Sequence, residues 1–145
     1  VPDIAITSDI IVGFPGEEED DFKATINALK EVEYDGVFAF KYSKRPGTAA
    51  LTLPDHVDES IKSRRLSEVI DLQVDIAYKR NKSLEGQVLE VLVEGQSETD
   101  AGKLTGRTGS NKLVSFCGDT RDIGNLVTIK ILKAKQHSLD GEKVS

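Results

Sequence analysis

Cysteine, methionine and long apolar runs are scarce or missing in this 145-residue sequence, and each absence excludes something. The only cysteine, Cys117, cannot form an internal disulfide or hold a metal cluster by itself, and such low cysteine use favours a reducing, cytoplasmic setting. No apolar run approaches the roughly 20 residues of a membrane-spanning helix, and residues 1–15 have no signal-peptide pattern. Because methionine is absent even at position 1, we expect the chain to be an internal or C-terminal piece of a longer protein.

Charge is abundant but unevenly distributed along the chain. The sequence is 38% hydrophobic and 30% charged, as expected for a folded soluble protein, and its net charge of −6 argues against nucleic-acid binding by the whole surface. Residues 103–135, however, contain seven basic residues and only two acidic ones, a net charge of +5. The basic residues are Lys103, Arg107, Lys112, Arg121, Lys130, Lys133 and Lys135. The C-terminal part therefore has a basic sector that the N-terminal part lacks.

The first half of the chain has the pattern of a β-α-β unit. Residues 4–12 form an apolar run typical of a buried parallel strand, and residues 37–42 form a second strand. Between them, apolar residues recur at helical spacing at Phe22, Ile26, Leu29 and Val32. Two parallel strands alone cannot form a protected sheet, so we expect this unit to be the end of a larger α/β domain.

The second half changes from helix to short strands. Residues 55 to about 84 predict one long helix, with Asp58 as N-cap and Gly86 beyond its end. Its apolar face is predicted to contain Leu66, Val69, Ile70, Gln73, Ile76 and Ala77. Five short, glycine-punctuated strands follow from residue 87 and predict a small closed barrel of the OB type. The predicted domains are therefore 1–84, which is α/β, and 85–145, which is all-β.

The turn "GFPGE", residues 13–17, allows two interpretations. It follows a buried strand and opens a helix, where free backbone N–H groups could meet a ligand. It matches neither the dinucleotide nor the Walker glycine pattern, and the five acidic residues at 17–21 would repel a phosphate. The alternative is a tight turn whose acidic residues complement the helix dipole.

The stretch "KYSKRPGTAA", residues 41–50, gathers positive charge where the second strand ends. It is either a solvated polar loop or a substrate mouth, because active sites of βα barrels lie at the carboxyl ends of the strands. The sequence "GRTGSNK", residues 106–112, has the same ambiguity: a loop that contacts RNA phosphates, or a hairpin with solubilising charge. Phe116 is the only aromatic residue after position 84, so base stacking would contribute little there.

The remaining candidate ligands do not form a recognisable metal site or nucleophile. His56 and His137 are far apart in sequence, without cysteine or carboxylate at ligand spacing, and we expect no metal site from them. Cys117 is predicted to be a small apolar residue at a strand end, because neighbouring Asp119 disfavours a thiolate.

Four stretches together resemble the tRNA methylthiotransferases of the radical S-adenosylmethionine class, most closely the MiaB family. They are "SDIIVGFPGEEEDDF", "YDGVFAFKYSKRPGTAA", "LPDHV" and "GRTGSNKLVSF". The sister RimO family, which acts on a ribosomal protein, usually has an acidic "EEGT"-like stretch where this chain has Arg45-Pro46-Gly47-Thr48. The resemblance spans nearly the whole chain. It implies the end of a partial TIM-type (βα) radical barrel, followed by a TRAM domain that binds RNA.

For the whole protein, the resemblance implies transfer of a methylthio group to C2 of N6-isopentenyladenosine at tRNA position 37. The cofactors would be S-adenosylmethionine and two [4Fe–4S] clusters, whose cysteine ligands must lie upstream because this chain has only Cys117. The chain alone would be inactive, and the whole protein would be a cytoplasmic monomer that needs a reductant and binds no membrane. Alternatives are a RimO-type enzyme and a non-catalytic TRAM RNA-binding protein.

The resemblance also implies which regions face each ligand. The S-adenosylmethionine side would be lined by Val12, Gly13, Phe14, Pro15, Gly16 and Glu17. The tRNA anticodon loop would contact Lys41, Ser43, Lys44 and Arg45. The barrel would contact tRNA through Lys103, Arg107, Asn111, Lys112, Lys133 and Lys135.

Overall fold

The computed structural model describes residues 1–144 and divides them into two compact units. One unit contains residues 6–76, and the other contains residues 77–144 with residues 1–5. The predicted domain boundary near residues 84–85 stays a prediction. Within residues 1–144, no helix combines the length and hydrophobicity needed to cross a membrane.

The unit 6–76 is built around a β-α-β motif. Strand β1 (Thr7–Val12) leads through helix α1 (Glu19–Val32) to strand β2 (Gly36–Lys41), and a short 3-10 turn (Ala49–Thr52) precedes helix α2 (Glu59–Lys82). The two strands pair in parallel from Thr7 opposite Gly36 to Val12 opposite Lys41, as the sequence predicted. Among residues 1–144 this parallel sheet has only two strands, so the remainder of a (βα) barrel is not in this chain.

One face of this small sheet is covered and the other is bare. Helices α1 and α2 cover one face, where the buried core consists of Val12, Phe22, Leu29, Val69 and Ile76. On the opposite face Ile11, Phe38 and Phe40 are 57%, 67% and 54% exposed. Val32 and Ile70, predicted on the apolar helix faces, are 43% and 46% exposed. We attribute their exposure to the sheet's small width, since two strands cover only part of each apolar stripe.

The second unit is the closed five-stranded barrel that the sequence predicted. Its strands are β3 (Val88–Gln96), β4 (Leu104–Thr108), β5 (Leu113–Cys117), β6 (Leu126–Ala134) and β7 (Leu139–Lys143). The strand order is β3-β4-β5-β7-β6, all neighbours being antiparallel except the parallel pair β5-β7. The alternating apolar residues point inward and form the core: Val91, Val93, Leu104, Val114, Phe116, Val127, Ile129, Ile131, Ala134 and Leu139.

Close contact between β3 and β4 depends on a glycine. A Cβ atom at Gly106 would lie 2.4 Å from the Leu92 carbonyl oxygen and 2.6 Å from Val91 Cγ1. Real Cβ atoms hardly ever approach other atoms that closely. Glycine at this position therefore allows the two strands to close the barrel wall.

The last turn of α2 is fastened to the barrel by polar contacts. Asn81 Nδ2 donates to the Lys135 carbonyl (3.1 Å), and the Ala134 N–H donates to Glu85 Oε1 (2.9 Å). The Gly86 N–H donates to the Ile131 carbonyl (2.8 Å). The end of α2 and the chain leaving it are thus held against β6.

Candidate nucleic-acid interface

The turn after β1 satisfies its own backbone donors. The Gly13 N–H donates to Glu17 Oε1 (2.8 Å), and the Gly16 N–H donates to the Asp55 carbonyl (2.8 Å). The Glu17 N–H donates to the Phe14 carbonyl (2.9 Å). The expectation of free N–H groups is therefore wrong at these three positions, because side-chain and backbone oxygens of the chain already accept from them.

The acidic residues behind this turn have local structural roles. Arg65, almost fully buried, donates to Glu17 Oε1 (2.7 Å) and to the Glu17 carbonyl (3.1 Å). Glu18 and Asp21 form a reciprocal capping box at the start of α1. Three of the five acidic residues are thus explained by an ion pair with a buried arginine and by a helix cap, which supports the tight-turn interpretation.

The described residues do not fit an iron–sulfur cluster. Among residues 1–144, no three His, Cys, Asp or Glu side chains gather as a metal site would require. Cys117 ends strand β5 as predicted, but it is exposed. Of the turn predicted to face S-adenosylmethionine, Phe14 offers an exposed ring surface (44% exposed), whereas Val12 and Gly13 are buried.

The loop after β2, here called the strand-exit loop (residues 41–48), begins with a lysine held by α2. Lys41 Nζ donates to Glu59 Oε1 and to Ser63 Oγ (3.3 Å). Lys62 Nζ lies 3.0 Å from Glu59 Oε2 and donates to the Tyr42 carbonyl (3.1 Å). Hydrogen bonds from Lys41 and then Lys62 lower the pKa of Glu59 below its usual value. The charge of Lys41 is therefore partly neutralised within the chain.

The rest of the strand-exit loop projects its charge into solvent. Ser43, Lys44 and Arg45 are exposed, and neither Lys44 nor Arg45 has an ion pair with any residue of 1–144. Thr48 closes the turn because its hydroxyl donates to the Arg45 carbonyl (2.7 Å). Gly47 has φ 80°, a left-handed conformation that glycine adopts without strain. The loop therefore presents two unpaired cations on an ordered turn.

A cleft of about 750 Å³ lies between the start of this loop and the first turns of α2. The Tyr42 ring forms part of its wall, with ring centroids 5.4 Å from Phe14 and 6.0 Å from His56. The sequence interpretation placed Tyr42 at this substrate mouth but missed His56 and Lys62 as parts of the region. The i, i+3 spacing of Glu59 and Lys62 on a helix indicates that they can pair. No neighbouring residue in the sequence indicates that Lys62 also donates to the Tyr42 carbonyl.

In the barrel, several predicted RNA-binding cations have acidic neighbours. Lys103 Nζ lies 3.3 Å from Asp100, and Lys135 Nζ lies 2.8 Å from Asp140. Arg107 Nε lies 3.6 Å from Glu94. These acidic residues lie outside the 103–135 window, so the net charge of +5 overstates the positive charge of this surface.

The hairpin between β4 and β5 brings Arg107 and Asn111 together. Arg107 Nη1 donates to the Asn111 carbonyl (3.3 Å), and Asn111 has a left-handed φ of 62°. The Lys112 N–H donates to the buried Thr108 hydroxyl (3.0 Å). Arg107 thus stabilises the turn.

The exposed cations on β6 differ from Lys103, Arg107 and Lys135 in having no acidic partner among the described residues. Lys130 and Lys133 form no ion pair within residues 1–144.

The barrel can be assigned to a known domain family. Residues 82–144 match the family model described as "TRAM domain". The barrel is therefore a TRAM domain, which confirms the all-β part of the predicted fold.

The chain as a whole is similar to a named group of proteins. It is 53% identical over 145 residues to "tRNA-2-methylthio-N(6)-dimethylallyladenosine synthase" of Thermodesulfovibrio yellowstonii, covering 100% of this chain and 33% of that relative. Relatives of the same name from Clostridium botulinum (strain Hall) and Thermoanaerobacter sp. (strain X514) are 49% and 48% identical over 144 residues. Each match covers 99% of this chain, and 32% and 31% of the respective relative. The chain thus spans about a third of these relatives and aligns with their C-terminal region, which contains the TRAM domain.

Proposed function

We propose that this chain is the C-terminal portion of a tRNA methylthiotransferase that acts on C2 of N6-isopentenyladenosine at tRNA position 37. The observation that carries this proposal is the 53% identity to a synthase named for that nucleoside, sustained over the whole chain. The bare two-stranded sheet agrees with it, because such a sheet needs further strands that residues 1–144 do not supply.

The cofactors of the whole protein would be S-adenosylmethionine and two [4Fe–4S] clusters. Cluster ligation requires upstream cysteines, and the chain alone would be inactive. When bound, the clusters and S-adenosylmethionine would supply the radical and the sulfur. The turn 12–17 would border S-adenosylmethionine through the Phe14 ring, because the N–H groups of Gly13, Gly16 and Glu17 are already bonded. The whole protein would be a cytoplasmic monomer, and a reductant would supply electrons to its clusters.

The role of this chain within the whole protein would be to bind tRNA, through the strand-exit loop and the TRAM barrel. Lys44 and Arg45 would contact phosphates of the anticodon stem-loop, because their charge is not offset by neighbouring acids. Ser43 is exposed beside them. Lys41 would support the loop, since its ammonium group is occupied by Glu59 and Ser63.

The activity is tested by mass spectrometry of tRNA from cells lacking the gene that contains this chain. The methylthio mark on N6-isopentenyladenosine should disappear and return when the intact gene is restored. If the mark persists, the tRNA activity is refuted. Loss of a mark from a ribosomal protein instead would indicate the RimO-type alternative.

The loop is tested by Lys44→Glu combined with Arg45→Glu in the whole protein. Two lost phosphate contacts should weaken tRNA binding and reduce the slope of log affinity against log salt by about two. Lys23→Glu with Lys30→Glu, on the surface of α1, is the control with the same change in net charge. Equal losses in the two variants would show that only net charge matters and would refute a loop contact.

A further inference from the structure

The strand-exit loop is attached to α2 through a compact set of polar contacts at the carboxyl ends of both parallel strands. We name Lys41, Glu59 and Lys62 the strand-end clamp. Glu59 accepts from Lys41 with one oxygen and lies 3.0 Å from Lys62 Nζ with the other, so one carboxylate joins two cations. Lys62 also donates to the Tyr42 carbonyl (3.1 Å), the last backbone group before the exposed part of the loop.

Lys62 is the central residue of the clamp. Its side chain is only 12% exposed, which is low for a lysine, and its ammonium group lies 5.9 Å from the centroid of the Tyr42 ring. Its methylene groups pack under the β1 turn so tightly that a Cβ atom at Gly13 would lie 2.1 Å from Lys62 Cγ. One side chain therefore contacts the ends of β1 and β2 together.

A role limited to fold stability does not account well for this arrangement. Glu59 is 65% exposed and Lys41 is 36% exposed, and ion pairs at such exposure contribute little to stability. A geometric role fits better, because the two lysines fix the backbone from which Lys44 and Arg45 project.

We propose that Lys62 and Glu59 are positioning residues for tRNA: they hold the strand-exit loop in the orientation in which it meets the RNA backbone. This inference rests on the proposed tRNA function. It adds that the loop's orientation is set from α2, by residues that do not themselves touch RNA.

The first test measures the loop in the 145-residue chain by amide hydrogen exchange. Glu59→Gln and Lys62→Met should each speed exchange at least several-fold at the Tyr42 and Thr48 amides, which donate to the Val12 and Arg45 carbonyls, while exchange in the barrel stays unchanged. The matched control is Glu68→Gln, which removes another exposed carboxylate of α2 (47% exposed, against 65% for Glu59) that pairs with Arg64 (2.8 Å). Unchanged exchange at the Tyr42 and Thr48 amides in both clamp variants would overturn the proposal, whatever the protein's function.

The second test measures steady-state kinetics of the whole protein with tRNA. Each clamp variant should raise KM for tRNA about tenfold, the size of one lost charge-assisted hydrogen bond, with kcat nearly unchanged. The double variant should be no worse than the more affected single variant, because the residues act as one unit. Additive losses, or a KM equal to that of the wild type in every variant, would overturn the inference. A wild-type protein without activity on tRNA would refute the proposed function instead, and the exchange result would still stand.

Discussion

Gly106 gives the sharpest test of how the barrel closes. In Gly106→Ala the new methyl group would meet the Leu92 carbonyl oxygen at 2.4 Å and Val91 Cγ1 at 2.6 Å. The obstructing atoms include backbone of the paired strand, so no side-chain rotation relieves the contact. Strands β3 and β4 must separate or distort, and overpacking of this kind costs about 1–3 kcal/mol.

The expected loss can be measured by native-state hydrogen exchange of the barrel amides, which reports the free energy of opening for this unit alone. A loss of about 2 kcal/mol corresponds to a roughly 30-fold decrease in protection. The effect should appear throughout β3–β7, because the closed barrel has one core.

Gly95→Ala is the matched control on the same pair of strands. A Cβ atom there meets nothing within 4 Å, and Gly95 does not have a positive φ. Alanine should leave barrel protection unchanged, or raise it by restricting the unfolded chain. Equal protection in the two variants would refute the inference that Gly106 is required by close strand contact.

Three further predictions concern charged groups. Arg65→Ala should destabilise the unit 6–76 by about 3–5 kcal/mol, because it leaves the Glu17 carboxylate, only 12% exposed, without its cation. Arg64→Ala removes only half-exposed ion pairs and should cost much less. Chemical denaturation compares the two, and equal losses would contradict the burial argument. Hydrogen bonds from Arg121 hold the pKa of Asp119 at about 2, so its stabilising contribution should be complete above its unfolded pKa of about 4 and disappear as the pH falls toward 2. Carboxyl NMR titration tests this, and a midpoint near 4 in the wild type, or no upward shift in Arg121→Ala, would refute it. Lys133→Glu should weaken tRNA binding and lower the salt slope by about one, which filter binding checks, and an unchanged slope would exclude a phosphate contact.

Elements whose pattern is local could be predicted from the sequence. Strands β3 and β6 were predicted because apolar residues alternate with polar ones, as at Val127, Ile129 and Ile131, and the other three were predicted as short runs separated by glycines. The parallel pairing of β1 with β2 followed from the strand-helix-strand order.

Contacts between residues distant in sequence could not be predicted in this way. The pairing of Arg107 with Glu94 depends on strand register, and that of Arg65 with Glu17 depends on how α2 packs beside α1. Counting charges within residues 103–135 alone therefore overestimated the net positive charge, because the acidic partners of several of these cations lie outside that range. The expectation of a free N–H at Gly16 failed for the same reason, because its acceptor, the Asp55 carbonyl, lies far away in sequence. The N–H groups of Gly13 and Glu17 instead donate to acceptors within the turn itself.

The position of β7 in the barrel has a consequence for biosynthesis. This strand pairs in parallel with β5 and antiparallel with β6, so it fills the last gap in the wall although residues 139–143 are translated after all the other strands. A nascent chain can pair β3, β4 and β5 early, but its barrel stays open until Lys143 has left the ribosome. Until then β5 and β6 each have an unpaired edge, which makes this the stage at which a chaperone would be most useful and a premature stop codon most damaging.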